Sequence, residues 1–197
     1  IVSTILAVFV QMWYALALTG SFCTWARVIP ILEELSSTYD LFPILSPIAY
    51  ISDNRFGKAA DWRAQIEKIC GRPVWHTIEQ VEPIGPKNLL DALVIAPCTG
   101  NTLGKLAGGI IDTAPVMAAK SNLRNTNPLI LAVSTNDALG ASARNIGQLM
   151  NARNVYFVPM AQDDPNGKPA SVVAHFERIG ETLAEAFKGR QLQPVYD

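Results

Sequence analysis

Excess charge of either sign is missing from this sequence. Its 16 Lys and Arg face 17 Asp and Glu, for a formal net charge of −1. There is no basic surface of the kind that nucleic-acid binding needs. Cysteine is scarce: Cys23, Cys70 and Cys98 are an odd number at scattered spacings. They form neither a disulfide framework nor a metal-ligand pattern, and a reducing cytosol is the simpler reading. Histidine is scarcer still. His76 sits in a strand-like run between Trp75 and Thr77, and His175 in a C-terminal helical pattern. Both read as structural, and no Ser-His-Asp triad can be assembled. Neither GxGxxG nor GxxxxGK[ST] occurs, which excludes the dinucleotide fingerprint and the nucleotide P-loop. No Lys or Arg precedes Arg27, so the apolar start lacks the basic n-region of a signal peptide. A membrane helix needs about 20 apolar residues, and Tyr14 to Leu18 is better used as a buried strand. Residues 1–13 are left as an apolar N-terminal extension: a strand extension, an oligomer contact or a cloning remnant. The lack of an initiator Met favours a processed or truncated start.

What is present is an apolar, alternating chain. Its 197 residues are 49% hydrophobic and 17% charged, which fits one domain, residues 14–197, with a sizeable core. Strand-like runs are expected at Tyr14–Leu18, Leu41–Leu45, Pro73–Ile78, Leu93–Ala96, Pro128–Val133 and Val155–Val158. Helical patterns are expected at Cys23–Ser37, Lys58–Cys70, Asn101–Gly109, Pro115–Leu123, Ala138–Ala152 and Ser171–Lys188. Pro30 should delay or kink the first of these. Glu82 to Lys87, with two prolines and a glycine, should be neither helix nor central strand. Asp163 to Pro169 reads as a surface loop. Strands alternating with helices imply an α/β fold, a doubly wound parallel sheet in a three-layer α/β/α sandwich.

In such a sheet every strand-to-helix turn falls on one edge, where open α/β proteins bind ligands. The turns at Gly20, Ser46, Thr99 and Ser134 should therefore converge. Thr19-Gly20-Ser21 offers backbone N–H groups, hydroxyls and a helix dipole suited to a phosphate monoester, or simply an ordinary turn with Ser21 or Thr24 as cap. Thr99-Gly100-Asn101-Thr102 carries more hydrogen-bonding groups than one cap needs and could match the edge of a flavin or pterin ring. Ser134-Thr135-Asn136 repeats the theme, with Asp137 as a possible helix cap. Lys105 is either a partner for an anionic ligand or a solvated lysine. Arg55 is either a bidentate carboxylate clamp or an exposed loop arginine.

The residues Thr19-Gly20-Ser21, Ala96-Pro97-Cys98-Thr99-Gly100-Asn101-Thr102, Lys105, Ala107-Gly108 and Asp112 resemble the homo-oligomeric flavin-containing Cys decarboxylase superfamily. Its members are Rossmann-like (flavodoxin-like) flavoproteins that bind FMN between protomers, commonly as trimers or dodecamers. The blocks Leu18 to Thr24, Asn54 to Gly57, Glu82 to Lys87, Ser134 to Gly140, Gln162 to Pro165 and Gly189 to Pro194 are similar to a branch of it in spore-forming bacteria. The resemblance implies an oxidoreductase component in the mother-cell cytoplasm. With a second polypeptide that carries NAD(P), it would oxidise dihydrodipicolinate, or a hydrated precursor, to dipicolinic acid. It implies an FMN phosphate on Gly20 and Ser21 near Ser46, and a ring against Thr99 to Thr102 and Ser134 to Asn136. Arg55, Lys87 and Lys105 are then the candidate catalytic residues, as partners for a dianionic substrate. Alternatives are a non-catalytic scaffold for the partner polypeptide, or a flavin-dependent decarboxylase or prenyltransferase. The decarboxylases' histidine before the Ala-Pro strand and their Pro-x-Met-Asn stretch have no match here, which disfavours cysteine decarboxylation.

Overall fold

A computed structural model describes residues 12–197. Residues 1–11, most of the apolar extension, lie outside that range. Five parallel strands form the frame: β1 (Trp13–Leu18), β2 (Asp40–Leu45), β3 (Ala92–Cys98), β4 (Leu129–Thr135) and β5 (Val155–Phe157). Their spatial order is β2-β1-β3-β4-β5. The three central strands are almost wholly buried. That is why they read as unbroken apolar runs and not as alternating ones.

Two short antiparallel strands, β6 (Met160–Ala161) and β7 (Val172–Ala174), complete the sheet. The far edge of β4 is divided between β7 and β5. Leu129 to Leu131 pair with β5, while Ser134 and Thr135 pair with Val173 and Val172 of β7. The β6–β7 flap therefore hangs on the C-terminal end of β4.

Helices flank the sheet. They are α1 (Trp25–Thr38), α2 (Pro47–Ile51), α3 (Ala59–Cys70), α4 (Ile78–Val81), α5 (Ile84–Lys87), α6 (Gly100–Gly108), α7 (Ala114–Arg124), α8 (Ala143–Met150) and α9 (Ile179–Ala186). Val28, Ile29, Leu32 and Leu35 make the buried stripe of α1, at the spacing that a helix requires to face a sheet. Trp25 anchors it. Its ring is buried, packs edge-on against Trp62 at 5.4 Å and donates its N–H to Thr19 O at 2.9 Å. Truncating such a side chain costs about 3–5 kcal/mol.

Five local expectations are corrected. Pro30 does not delay α1, which begins at Trp25 and runs through it. It is exposed, as is Ala26 one turn earlier, so the carbonyl that it leaves unpaired can hydrate. The strand expected at Pro73–Ile78 shrinks to one bridge, Trp75 with Ile44, because a capping box of Thr77 and Gln80 starts α4 at once. Glu82 to Lys87 contains the single turn α5. Pro86 falls in its first turn, where the missing N–H would have no helical partner anyway. The long helix expected at Ser171–Lys188 is β7, a 3₁₀ turn (Phe176–Arg178) and α9. The β-branched pair Val172 and Val173 finds the open edge of β4, and that pairing overrides a helical pattern.

The Ala138–Ala152 helix also starts late, at Ala143. Asp137 holds the preceding turn closed. Its carbonyl accepts from Gly140 N (2.9 Å) and Ser142 N (3.2 Å), and its Oδ1 accepts from Ser142 Oγ (2.9 Å).

Candidate functional site

The chain order reverses direction between β1 and β3. From β1 it runs outward to β2, and from β3 it runs the other way to β4. This is the switch point at which strand ends splay and leave a crevice. Two adjoining cavities open there, of about 620 and 380 Å³. Gly20, Thr99 and Asn101 border both.

The turns that line them are locked to one another. Thr19 Oγ1 donates to Pro97 O at 2.7 Å and accepts from Thr99 N at 3.2 Å, which ties the end of β1 to the end of β3. Ser21 Oγ and Ser134 Oγ share a 2.7 Å hydrogen bond, tying the first turn to β4. Ser46 N donates to Leu18 O at 3.1 Å, and its hydroxyl caps α2 through Ala49 N. Thr99 caps α6 by accepting from Thr102 N at 3.3 Å, and the two hydroxyls are 3.0 Å apart. Thr135 Oγ1 donates to Asp137 Oδ1 at 2.5 Å.

Two glycines let the walls approach. A Cβ on Gly20 would lie 3.2 Å from Ile48 Cγ2. On Gly100 it would lie 2.8 Å from each of Asp137 Oδ1, Ser142 Oγ and Thr135 Oγ1. Groups left over for a ligand are the first amides of the helical turns after Gly20 and after Thr99, which have no intrahelical partner, and the exposed side chains of Asn101 and Asn136.

The larger cavity is lined by Gly20, Ser21, Thr99, Gly100, Asn101, Ser134, Thr135 and Asn136. The smaller takes Thr19, Ser46 and Thr102. All eleven expected cofactor residues thus stand on one sheet edge. Among the three cationic candidates, Arg55 borders the larger cavity and Lys105 the smaller. Lys87 does not reach either. It ends α5, and three residues later Leu90 is hydrogen-bonded with Asn127 at the N-terminal ends of β3 and β4. The short connection from α5 into β3 forces Lys87 to the opposite edge of the sheet.

Lys105 reaches both oxygens of Asp112 at 2.7 Å, so its charge is already matched. Lys168 in the flap pairs with Asp163 at 3.3 Å. Partial burial would raise the Asp163 carboxyl. Hydrogen bonds from Ser171, Lys168 and its own backbone, with the Lys168 charge, hold it below the usual carboxylate range instead.

Several lining residues escaped the sequence reading. Phe22, Cys23 and Phe56 join the wall from turns already noticed, and Asp163, Lys168, Ser171 and Val173 come from the flap. The polar Asp163 to Pro169 loop was the available signal, and reading β7 as helix hid its position. Among the described residues no cluster of His, Cys, Asp or Glu is placed to hold a metal, and no helix is long and apolar enough to cross a membrane.

A β2-β1-β3-β4-β5 sheet with its cleft at the β1/β3 reversal defines a flavodoxin-like doubly wound α/β protein. The chain belongs to the Flavoprotein family, whose model matches residues 11–184. It is 42% identical over 179 residues, 90% of either chain, to the dipicolinate synthase B subunit of Bacillus subtilis (strain 168). The crystal structure of the dipicolinate synthase B subunit from Bacillus halodurans C is similar with a TM-score of 0.86 and 40% identity, covering 94% of this chain and 96% of that one. Burkholderia xenovorans DmrB, solved with FMN as a cubic protein cage for redox transfer, shares the fold at a TM-score of 0.67 and 19% identity, over 91% of this chain and 97% of its own.

Proposed function

We propose that residues 14–197 form an FMN-binding domain. It would act as the B subunit of a dipicolinate synthase that oxidises dihydrodipicolinate, or its hydrated precursor, to dipicolinic acid. The observation that carries this is the convergence of three polar turns, after β1, β3 and β4, on one cleft at the switch point. The cleft suits FMN. The turn at Gly20 and Ser21 presents helix-opening amides for a phosphate, with Ser46 beside it. Asn101 and Asn136 offer both donors and acceptors to a ring edge. Gly20 and Gly100 let the turns close on Ile48 and on Thr135, Asp137 and Ser142, where a Cβ would intrude. An FMN held there would supply two-electron redox chemistry at the strand ends. The chain's own groups would bind, orient and exclude water. The partner is the dipicolinate synthase A subunit, which carries the NAD(P) site. The setting is the mother-cell cytoplasm of a sporulating bacterium, and the assembly is a homo-oligomer, a trimer or dodecamer.

One observation favours a second reading. The hydroxyls of Thr19, Ser21, Thr99 and Ser134 are all engaged within the protein, so these side chains are satisfied by their own neighbours. A scaffold that only activates or stabilises the partner polypeptide would look the same. An absorbance spectrum of the purified protein, followed by FMN titration, separates the two. FMN binding is expected to produce a flavin spectrum and quench its fluorescence. The variant Gly20→Trp, already tight against Ile48 at Cβ, should abolish both, together with activity of the mixture with the partner. Full activity from the Gly20→Trp mixture would defeat the flavin reading and leave the scaffold.

A further inference from the structure

The loop 52–58 is built, not slack. Asn54 and Gly57 exchange two backbone hydrogen bonds of 3.1 Å, N to O in both directions. Phe56 N donates to Asn54 Oδ1 at 2.8 Å, and Ala59 N donates to Asp53 Oδ1 at 2.8 Å. Gly57 takes φ 151°, and a Cβ there would lie 2.6 Å from Trp62 Nε1. The close approach to Trp62 closes this turn to other residues. Two residues occupy its tip, Arg55 and Phe56, and both face the larger cavity. The Arg55 guanidinium carbon lies 4.8 Å from the centre of the Phe56 ring.

The charges around the cleft single out Arg55. Lys105 is neutralised by Asp112 and Lys168 by Asp163. Among the described residues Arg55 has only the Phe56 ring beside it. The cleft's carboxylates are also committed, Asp137 to Thr135 and Ser142, and Asp163 to Lys168. One unmatched, planar, forked cation therefore borders the cleft over the Phe56 ring, with Phe22 in the same wall. That set recognises a carboxylate attached to a planar ring: the fork binds the two oxygens, and the aromatic faces take the ring.

We propose that Arg55 is the residue that selects the ligand by clamping one carboxylate of an aromatic dicarboxylate, with Phe56 as the platform for its ring. This rests on the dipicolinate reading above for the identity of the ring, and on loop 52–58 for the position. The reacting carbon would then lie between the tip of this loop and the turns after β3 and β4.

The test is calorimetric titration of the full chain, with and without FMN, using pyridine-2,6-dicarboxylate and glutarate. Glutarate carries the same two carboxylates without a ring. Wild type should bind the pyridine diacid and prefer it to glutarate. Arg55→Gln should weaken the diacid by about 10- to 100-fold, the range for losing a charge-assisted hydrogen-bonded partner. Arg55→Lys should fall between, since it keeps the charge and loses the fork. Phe56→Ala should erase the preference for the ring. All three variants should keep the wild-type unfolding midpoint, because they change an exposed loop tip. Equal diacid affinity in wild type and Arg55→Gln overturns the proposal, as does no diacid binding by wild type. Absence of FMN binding with an intact Arg55 effect overturns the flavin reading alone.

Discussion

Gly100 is the residue where an added methyl group should do most harm to the site. In Gly100→Ala the new Cβ would stand 2.8 Å from Asp137 Oδ1, Ser142 Oγ and Thr135 Oγ1. Comfortable heavy-atom contacts begin at about 3.5 Å, so each neighbour must retreat by roughly 0.7 Å. None can move alone. Asp137 Oδ1 is held by Thr135 at 2.5 Å and Ser142 at 2.9 Å, so yielding breaks hydrogen bonds to a carboxylate. Overpacking of this kind costs about 1–3 kcal/mol. Better helix propensity returns at most about 1 kcal/mol, and less at the first residue of α6. Net destabilisation of about 1–2 kcal/mol is expected in urea unfolding. Because Thr135 and Asn136 line the larger cavity, FMN affinity should drop about tenfold for each 1.4 kcal/mol of misfit. Gly104→Ala is the control in the same helix, since its Cβ would meet only Asn145 Nδ2, at an ordinary 3.5 Å. It should be neutral or slightly stabilising. If Gly100→Ala unfolds and binds like Gly104→Ala, the close-packed cradle around Asp137 is wrong.

Other outcomes follow from burial and charge. Gly147→Ala in α8 and Gly180→Ala in α9 add a Cβ with nothing within 4 Å, and each should raise stability by about 0.5–1 kcal/mol in urea; a loss would mean that those faces are covered. Thiol titration at pH 8 should find one fast cysteine, Cys23, which is exposed and borders the larger cavity. Burial pushes the Cys70 thiol up to about 12, against a small opposing pull from Arg72, and raises the fully buried Cys98 as well. All three should react in urea, and bound FMN should slow Cys23; fast native reaction of Cys98 would contradict its burial. The Asp163 carboxyl is held below its ordinary value. Its hold on Ser171 and Lys168 is therefore complete above the unfolded carboxyl value of about 3.9 and is lost as pH falls through the depressed folded value. Amide exchange in β7 should stay slow down to about pH 4, and flap opening near neutrality would refute this.

The parallel frame was legible because burial on both faces leaves nothing polar to interrupt it. The run through β3, from Ala92 to Cys98, is wholly buried, and its end at Thr99 was visible as an abrupt change to hydroxyls and amides. Four such turns on one edge follow from parallel strands alone. Pairings between residues distant in sequence were not legible. Val172 and Val173 look equally fit for a helix face or a strand, and the open end of β4 decided between them. Lys87 failed for the same reason. A basic residue close before β3 looked near the site in sequence, but the strand must run its full length before reaching the cleft.

The division between frame and loops bears on the chemistry. Thr19, Ser21 and Ser134 spend their hydroxyls on joining β1, β3 and β4, and Thr99 spends its hydroxyl on capping α6, so on the proposed reading these residues would fix where a cofactor's anionic end and ring edge can lie. They leave little freedom to choose a substrate. That freedom lies on connections that the frame does not constrain: Arg55, unmatched at its closed turn, and the flap carrying the Asp163–Lys168 pair. A wall built this way separates two demands. Holding a cofactor would depend on hydrogen bonds between strand ends, which any change to the sheet would disturb. Choosing a substrate would depend on a loop tip that can change without moving the sheet. Substitutions at Thr19 or Ser134 should therefore lower stability and cofactor affinity together, whereas substitutions at Arg55 should alter ligand choice without lowering stability.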